Sequence, residues 1–210
     1  LRWTALKSAS ATLSVDFDAH HALARRAAVE SAILLQNNGI LPIGVASDIA
    51  LIGAFAEHPR YQGAGSSKVN PTRMDSLRDA LTQAGGPEVA YAPGYDHITG
   101  VSSAELIADA VRVAQSTSIA VLVIGLPARL ETEAKDRENT DIPSGMNALV
   151  TAVAAANPRT IVVLMNGGSV TMPWTADVAA ILQAGLTGQA GGGVIKSRAF
   201  VSHIRGKYDG

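Results

Sequence analysis

The stretch Val121–Pro143, VLVIGLPARLETEAKDRENTDIP, decides the fold class of this chain. It continues an unbroken apolar run from Ile119 to Ile124, which ends at Gly125 and is typical of a parallel strand buried on both faces. The residues that follow are unusually charged for a chain with only 17% charged residues. They include Glu131, Glu133, Lys135, Asp136, Arg137, Glu138 and Asp141. Because open α/β sheets bind ligands beyond the carboxyl ends of their strands, this loop is the first candidate for a functional site.

Composition limits the possible functions. The chain has 210 residues, 47% of them hydrophobic, a net charge of -1 and no cysteine. One domain of this length can bury a sizeable core. A charge near zero argues against a nucleic-acid partner, and no apolar run approaches the ~20 residues of a membrane span. The histidines lack metal-ligand spacing, so we expect no metal and no cofactor. Leu1 is neither an initiator Met nor part of a signal peptide, and we expect a piece of a longer or processed protein.

Helical and strand patterns alternate along the chain. The expected elements are a helix after the N-cap Asp18 that closes at Gly39, strands at 49–52, 88–92, 119–125, 160–165 and 178–183, and helices at 74–84, 104–115, 144–156 and after Gly193. Such alternation predicts an α/β fold, a mostly parallel sheet flanked by helices on both faces, an α/β sandwich. We expect residues 1–17 to form a linker, 18–195 the domain, and 196–210 an atypical tail.

A second long polar loop follows the strand at 49–52. Its sequence, AFAEHPRYQGAGSSKVNPTR, spans nearly twenty residues, and loops of that length are usually functional or disordered. It leaves the same edge of the sheet as the 126–143 loop, so the two are expected to meet. Its candidates for binding a hydroxyl-rich ligand are Arg60, Tyr61, Gln62, Ser66 and Ser67.

Common catalytic motifs are absent, and this leaves the carboxylates. The sequence has no dinucleotide fingerprint, no phosphate-binding loop and no nucleophile-elbow serine. Glu131 and Glu133 are two residues apart, so in an extended loop they point the same way, and in a turn only one need face the crevice. A solvated charge run with internal pairs such as Glu133–Lys135 is the alternative.

Four stretches together resemble the C-terminal α/β sandwich domain of glycoside hydrolase family 3, of the β-glucosidase type. They are Ala24–Asn38 with Leu41-Pro42, Tyr61–Pro71, Glu131–Arg137 with Asp141–Pro143, and Asn166–Trp174. The resemblance covers residues 18 to about 195. It implies a retaining β-glycosidase that hydrolyses O-glycosidic bonds in a β-linked glycoside or oligosaccharide.

The resemblance also implies roles for particular residues. The general acid/base of the family falls on Glu133, with Glu131 in reserve, and Asp136 and Arg137 brace the loop. A (β/α)8 barrel domain would supply the nucleophilic Asp and most of the sugar site. Retaining hydrolysis needs the two carboxyl groups ~5–5.5 Å apart. No stretch of this chain matches the nucleophile motif, so the chain alone is expected to be inactive.

Two departures and several alternatives stay open. Ala134 stands where the family usually has Gly, which matters if that position needs a positive φ, and residues 196–210 do not resemble the family. Trp174 is either core or a sugar platform, and Asn166-Gly-Gly is either a tight turn or a ligand contact. A non-catalytic carbohydrate-binding or assembly module is the rival function, and a nucleotide-binding domain is a weaker one.

Overall fold

The computed structural model describes residues 14–44, 47–83, 89–195 and 200–202. Most of the expected linker and most of the 196–210 tail therefore lie outside the described residues, as do the last residue of the 74–84 helix and the first of the 88–92 strand. The helices are α1 Phe17–Ser31, α2 Leu77–Gln83, α3 Ala104–Gln115, α4 Ser144–Ala156 and α5 Gly192–Ile195. The strands are β1 Ile33–Asn37, β2 Ile43–Gly44, β3 Ile49–Ile52, β4 Ala90–Ala92, β5 Ile119–Gly125, β6 Thr160–Met165, β7 Ala180–Gln183 and β8 Val201–Ser202.

Six strands form one sheet in the order β1-β7-β6-β5-β3-β4, in which only β1 is antiparallel to its neighbour. Strands β2 and β8 pair separately. Helices α3 and α4 pack on each other, and α1 and α2 both pack on α5. The expected α/β sandwich with a mostly parallel sheet is therefore confirmed. In the described part of the chain, no helix has the length and apolar character needed to cross a membrane.

The two central strands form the middle of the core. Every residue of β5 and β6 is buried, as their unbroken apolar sequences predict. Burying one Val, Leu or Ile side chain contributes about 1.5–3 kcal/mol, so these strands anchor the sheet. Gly125 ends β5 where the two backbones come close, since a Cβ there would lie 2.0 Å from the carbonyl oxygen of Met165. The chain therefore needs a glycine at the point where the 126–143 loop begins.

The first predicted helix is wrong at both ends. Its N-cap is Asp16, whose side chain accepts a hydrogen bond from the amide of Ala19 at 2.9 Å, and the helix ends at Ser31 instead of continuing to residue 38. Ile33–Asn37 is a strand that pairs with β7, with Leu34 opposite Leu182. In the sequence, Leu34 and Leu35 continue the helical face of Leu23, Ala27 and Ser31. In the structure their segment pairs with the edge of β7 instead, so tertiary context overrides the local helical pattern.

Candidate active-site edge

Glu133 lies at the tip of a tight turn beyond β5. A bridge between Thr132 and Lys135 closes the turn, and Glu133 and Ala134 are its two central residues. Ala134 has a φ of 62°, in the left-handed region that residues with a Cβ rarely adopt. The position therefore does adopt a positive φ, although it carries a Cβ. The turn leaves the Glu133 side chain exposed at the carboxyl edge of the sheet.

The turn meets the loop that follows β3. The backbone amide of Ser66 donates a hydrogen bond to Oε2 of Glu133 at 2.8 Å, and the Ser66 hydroxyl donates to the same oxygen. These bonds, from the hydroxyl first and the amide second, hold the pKa of Glu133 below its ordinary value. The structure thus brings together the two loops that the sequence predicts to share an edge.

Glu131 is in a different environment from Glu133. Its carboxylate accepts hydrogen bonds from the amide of Gly167, 2.9 Å from each oxygen, and from the amide of Gly168 at 2.5 Å. Its Oε2 also lies 3.4 Å from a guanidinium nitrogen of Arg60. The side chain is only 18% exposed. Glu131 therefore points into the domain, towards the loop after β6, while Glu133 points out.

Arg60 is buried and surrounded by protein acceptors. Its Nε donates to the carbonyl of Leu126 at 2.7 Å, and one terminal nitrogen donates to the carbonyl of Gln62 at 3.0 Å. Burial lowers the pKa of Arg60, and the neighbouring carboxylate of Glu131 opposes that effect. Arg60 thus connects the loop after β3 to the beginning of the loop after β5.

The other expected ligand-binding residues lie within the same loop. Gln62 donates to the Tyr61 hydroxyl at 2.7 Å and exchanges two hydrogen bonds with the backbone of Val69, at 3.1 and 2.9 Å. Ser67 is exposed and its hydroxyl donates to the carbonyl of Ala64 at 3.4 Å. Tyr61 and Gln62 are partly exposed. The loop is therefore internally braced, with its serines at the surface.

The two residues expected to brace the 126–143 loop differ from each other. Arg137 donates to the carbonyl of Ser169 at 2.8 Å, and its second terminal nitrogen is buried without a hydrogen-bond partner. Asp136 is exposed and forms no ion pair with any residue that the structure describes. The loop is also held further along, where the amide of Thr171 donates to the carbonyl of Thr140 at 2.9 Å.

Sequence reasoning missed the main partner of Glu131. Asn166-Gly-Gly had two open interpretations, and the structure shows a third use, in which Gly167 and Gly168 bind a carboxylate through their amides. The sequence did contain a signal for this contact. The turn follows the carboxyl end of β6, which is next to β5, so it lies at the same edge of the sheet as the loop that carries Glu131. Trp174 is core, because it is 1% exposed and its Nε1 donates to Oδ1 of Asn147 at 2.8 Å.

The described residues contain no cluster of three or more His, Asp or Glu side chains that could hold a metal ion. What the edge offers is an exposed carboxyl group, a set of hydroxyl and amide donors, and a rigid sheet behind them. By fold and site, the chain is an α/β domain that presents polar loops at the carboxyl edge of a parallel sheet.

The comparison with known families is specific. The family described as "Glycosyl hydrolase family 3 C-terminal domain" matches residues 32–207, and the chain belongs to this family. The matched range includes residues 196–207, which form most of the segment expected to be an atypical tail.

Individual relatives agree with this assignment. The chain is 43% identical over 199 residues to thermostable beta-glucosidase B of Acetivibrio thermocellus, which covers 93% of this chain and 26% of the relative. It is 39% identical to an exo-alpha-(1->6)-L-arabinopyranosidase of Bifidobacterium longum, over 84% of this chain and 25% of that protein. The crystal structure of a beta-glucosidase from Bifidobacterium adolescentis superposes with a TM-score of 0.85 at 40% identity, covering 90% of this chain and 28% of that one. The chain thus spans about a quarter of each relative.

Proposed function

We propose that this chain is the C-terminal domain of a retaining β-glycosidase and that its loop after β5 supplies Glu133 as the general acid/base. A nucleophilic Asp would come from a (β/α)8 barrel domain outside this chain. The observation that carries the proposal is the geometry of Glu133, an exposed carboxyl group at the tip of a turn, beyond a buried strand and beside a hydroxyl-bearing loop. A Glu presented in this way can reach over a sugar that is bound by another domain.

The contacts of the two glutamates favour Glu133 over Glu131. A general acid must have an oxygen free to approach the leaving oxygen of the substrate. Both oxygens of Glu131 accept hydrogen bonds from backbone amides, and Arg60 adds a third donor. Oε1 of Glu133 has no hydrogen-bond partner among the described residues. We assign Glu131 a bracing role, in which it ties the loop after β5 to the loop after β6.

The other candidate residues differ in the same way in whether their polar groups are already bonded. Arg60 braces the site from beneath, since each of its three nitrogens donates to a protein acceptor, at Leu126, Gln62 and Glu131. Arg137 braces through the carbonyl of Ser169. We propose that the exposed serines and Tyr61 line the mouth of the sugar site. Asp136 has no bracing contact in the described structure, so we propose that any role it has depends on the rest of the enzyme.

We propose that the barrel domain would also change the acidity of Glu133. A general acid must be protonated near neutral pH, but hydrogen bonds from Ser66 hold the pKa of Glu133 below its ordinary value in this chain. A nucleophile carboxylate ~5–5.5 Å away and exclusion of water would both raise that pKa. We therefore expect this chain alone to be inactive, and the acid to become functional when the domains assemble.

A surface for such a contact is present. Large hydrophobic side chains are exposed along the segment 15–35, namely Val15, Phe17, Leu23, Ile33, Leu34 and Leu35. The last three lie in β1, an edge strand whose pairing with β7 is interrupted by a bulge between Leu34 and Gln36, and all three are exposed. Exposed apolar patches of this kind mark protein contacts. We propose that the remainder of the longer enzyme covers this surface.

A chimera tests the proposal. This chain replaces the matching quarter of thermostable beta-glucosidase B, and hydrolysis is measured with aryl β-glucosides and aryl α-L-arabinopyranosides, since relatives bear both names. Glu133→Gln should lower kcat for a poor leaving group by about 10²–10⁴-fold, and less for dinitrophenolate, which departs without a proton. Azide should restore turnover to Glu133→Ala.

The matched control is Glu138→Gln, which removes an exposed carboxylate from the same loop and should leave kcat unchanged. Unchanged turnover of the poor substrate by Glu133→Gln would refute the assignment. Sugar binding by a chimera that never hydrolyses any glycoside would favour the rival, a non-catalytic carbohydrate-binding module.

A further inference from the structure

We propose that Gly65 and Ser66 are the positioning residues of Glu133, and that they hold one carboxyl oxygen so that the other, Oε1, is the oxygen that exchanges the proton with substrate. The inference rests on the proposed role of Glu133 as general acid/base. It adds which residues aim the acid and which of its two oxygens reacts.

The turn that carries Glu133 cannot aim the side chain by itself. The side chain is exposed, and both of its hydrogen bonds to the described residues come from Ser66. The amide and the hydroxyl of Ser66 converge on the same atom, Oε2. Two donors hold that oxygen more firmly than one donor would, and hydrogen bonds to an ionised carboxylate are the stronger kind.

Gly65 makes this approach possible. Its φ is 82°, and a Cβ added there would lie 2.7 Å from both Cβ and Oε2 of Glu133. Any larger residue would push the carboxyl group away from Ser66. The glycine is thus required both by its backbone conformation and by the close contact between the two loops.

The chemistry follows from the free oxygen. In the first step, the O–H bond at Oε1 breaks and the proton moves to the leaving oxygen, while the C1–O bond breaks and the nucleophile carboxylate bonds to C1. In the second step, water attacks C1, the bond to the nucleophile breaks, and Oε1 takes the proton from the water. Oε2 remains on Ser66 throughout.

The test is a titration of the full 210-residue chain with ¹³C-carboxyl-labelled glutamate. The Glu133 signal is assigned by its loss in Glu133→Gln. We expect a midpoint below the ordinary value for glutamate, which rises in Ser66→Ala because the hydroxyl donor is lost. Ser66→Thr, which keeps a hydroxyl, should restore the low midpoint. Gly65→Ala should raise it by displacing the carboxyl group from both donors.

The control is Ser67→Ala, which removes the neighbouring hydroxyl and should leave the Glu133 midpoint unchanged. No charged group of the two loops makes a hydrogen bond to Glu133 within the described residues, and this includes Lys68, Lys135 and Asp136. Equal midpoints in the parent chain and Ser66→Ala would overturn the inference. So would a low midpoint in Gly65→Ala.

Turnover in the chimera separates this inference from the function itself. Ser66→Ala should lower kcat for the poor leaving group by about 10–100-fold, because the acid is misplaced. The effect on KM should be smaller, because Tyr61 and Ser67 still line the mouth of the sugar site. If Ser66→Ala shifts the titration but Glu133→Gln leaves turnover intact, the positioning contact is real and the acid/base assignment is wrong. If Glu133→Gln abolishes turnover but Ser66→Ala shifts neither the titration nor kcat, the function stands and the positioning inference fails.

Discussion

Glu131 and Glu133 are two residues apart, but we expect their substitution to affect the stability of the domain very differently. Glu131→Gln should make the domain less stable. The Glu131 carboxylate accepts hydrogen bonds from the amides of Gly167 and Gly168 and is the counter-charge of Arg60. Glu133→Gln removes an exposed carboxylate held only by Ser66, and should leave stability almost unchanged. The pair therefore separates a bracing role from a chemical one within a single loop.

The magnitude follows from the contacts. Glutamine keeps one carbonyl oxygen for a backbone donor, so about one hydrogen bond to a charged group is lost, worth about 1.5–3 kcal/mol. Removing one partner of a buried ion pair costs about 3–5 kcal/mol, and that figure is an upper bound here. Arg60 keeps its two carbonyl acceptors, and the Glu131 side chain is 18% exposed. We expect the free energy of unfolding to fall by about 3 kcal/mol in total.

Denaturant unfolding and thermal melting of the 210-residue chain measure this effect. A loss of about 3 kcal/mol corresponds to a fall in Tm of about 6–12 °C for a domain of this size. Glu138→Gln, an exposed change in the same loop, is the control and should leave Tm unchanged. A change of less than about 0.5 kcal/mol for Glu131→Gln, the range of ordinary surface substitutions, would refute the bracing role.

Three further changes test the structure, each by chemical unfolding. Ala134→Gly should stabilise the chain by up to about 1 kcal/mol, because glycine adopts the positive φ without strain, and a loss of stability would contradict the turn. Gly125→Ala should cost about 3 kcal/mol or more, since its Cβ would meet the backbone of β6 at 2.0 Å, and a neutral result would be incompatible with that packing. Burial raises the pKa of Asp75, but hydrogen bonds from Arg25 and His21 outweigh it and leave the pKa lowered. Asp75 therefore stabilises the fold above its unfolded pKa, and the difference in stability from Asp75→Asn should vanish as the pH falls through the folded pKa; a difference that persists in acid would argue against this.

The local pattern of apolar and polar residues correctly predicted those helices and strands that are buried on one regular face or on all sides. Helix α3 has the predicted bounds because Ser103 caps it and its apolar residues recur on one face. Strands β5 and β6 also have the predicted bounds, since an unbroken apolar run ending in glycine or a polar turn is unambiguous when it is buried on both sides. The segment Ile33–Asn37 was predicted wrongly because its conformation depends on β7, almost 150 residues further along the chain.

The candidate site shows the same division. The meeting of the two polar loops was predictable, since the carboxyl ends of parallel strands lie at one edge of the sheet. The different environments of Glu131 and Glu133 were not, because spacing alone leaves both facing the same way or only one facing the crevice.

The sequence by itself determined the α/β class, the central strands and the two polar loops, because these follow from local periodicity and composition. The family resemblance came separately, from four stretches of sequence in a particular order and spacing. Only the tertiary structure decided which glutamate is held inside and which is presented outside. That choice depends on amides at Gly167 and Gly168, a guanidinium at Arg60 and a hydroxyl at Ser66, which approach from other loops. These partners are distant in sequence, so the residue pattern around either glutamate does not reveal them. They come close to the glutamates only when the sheet has formed.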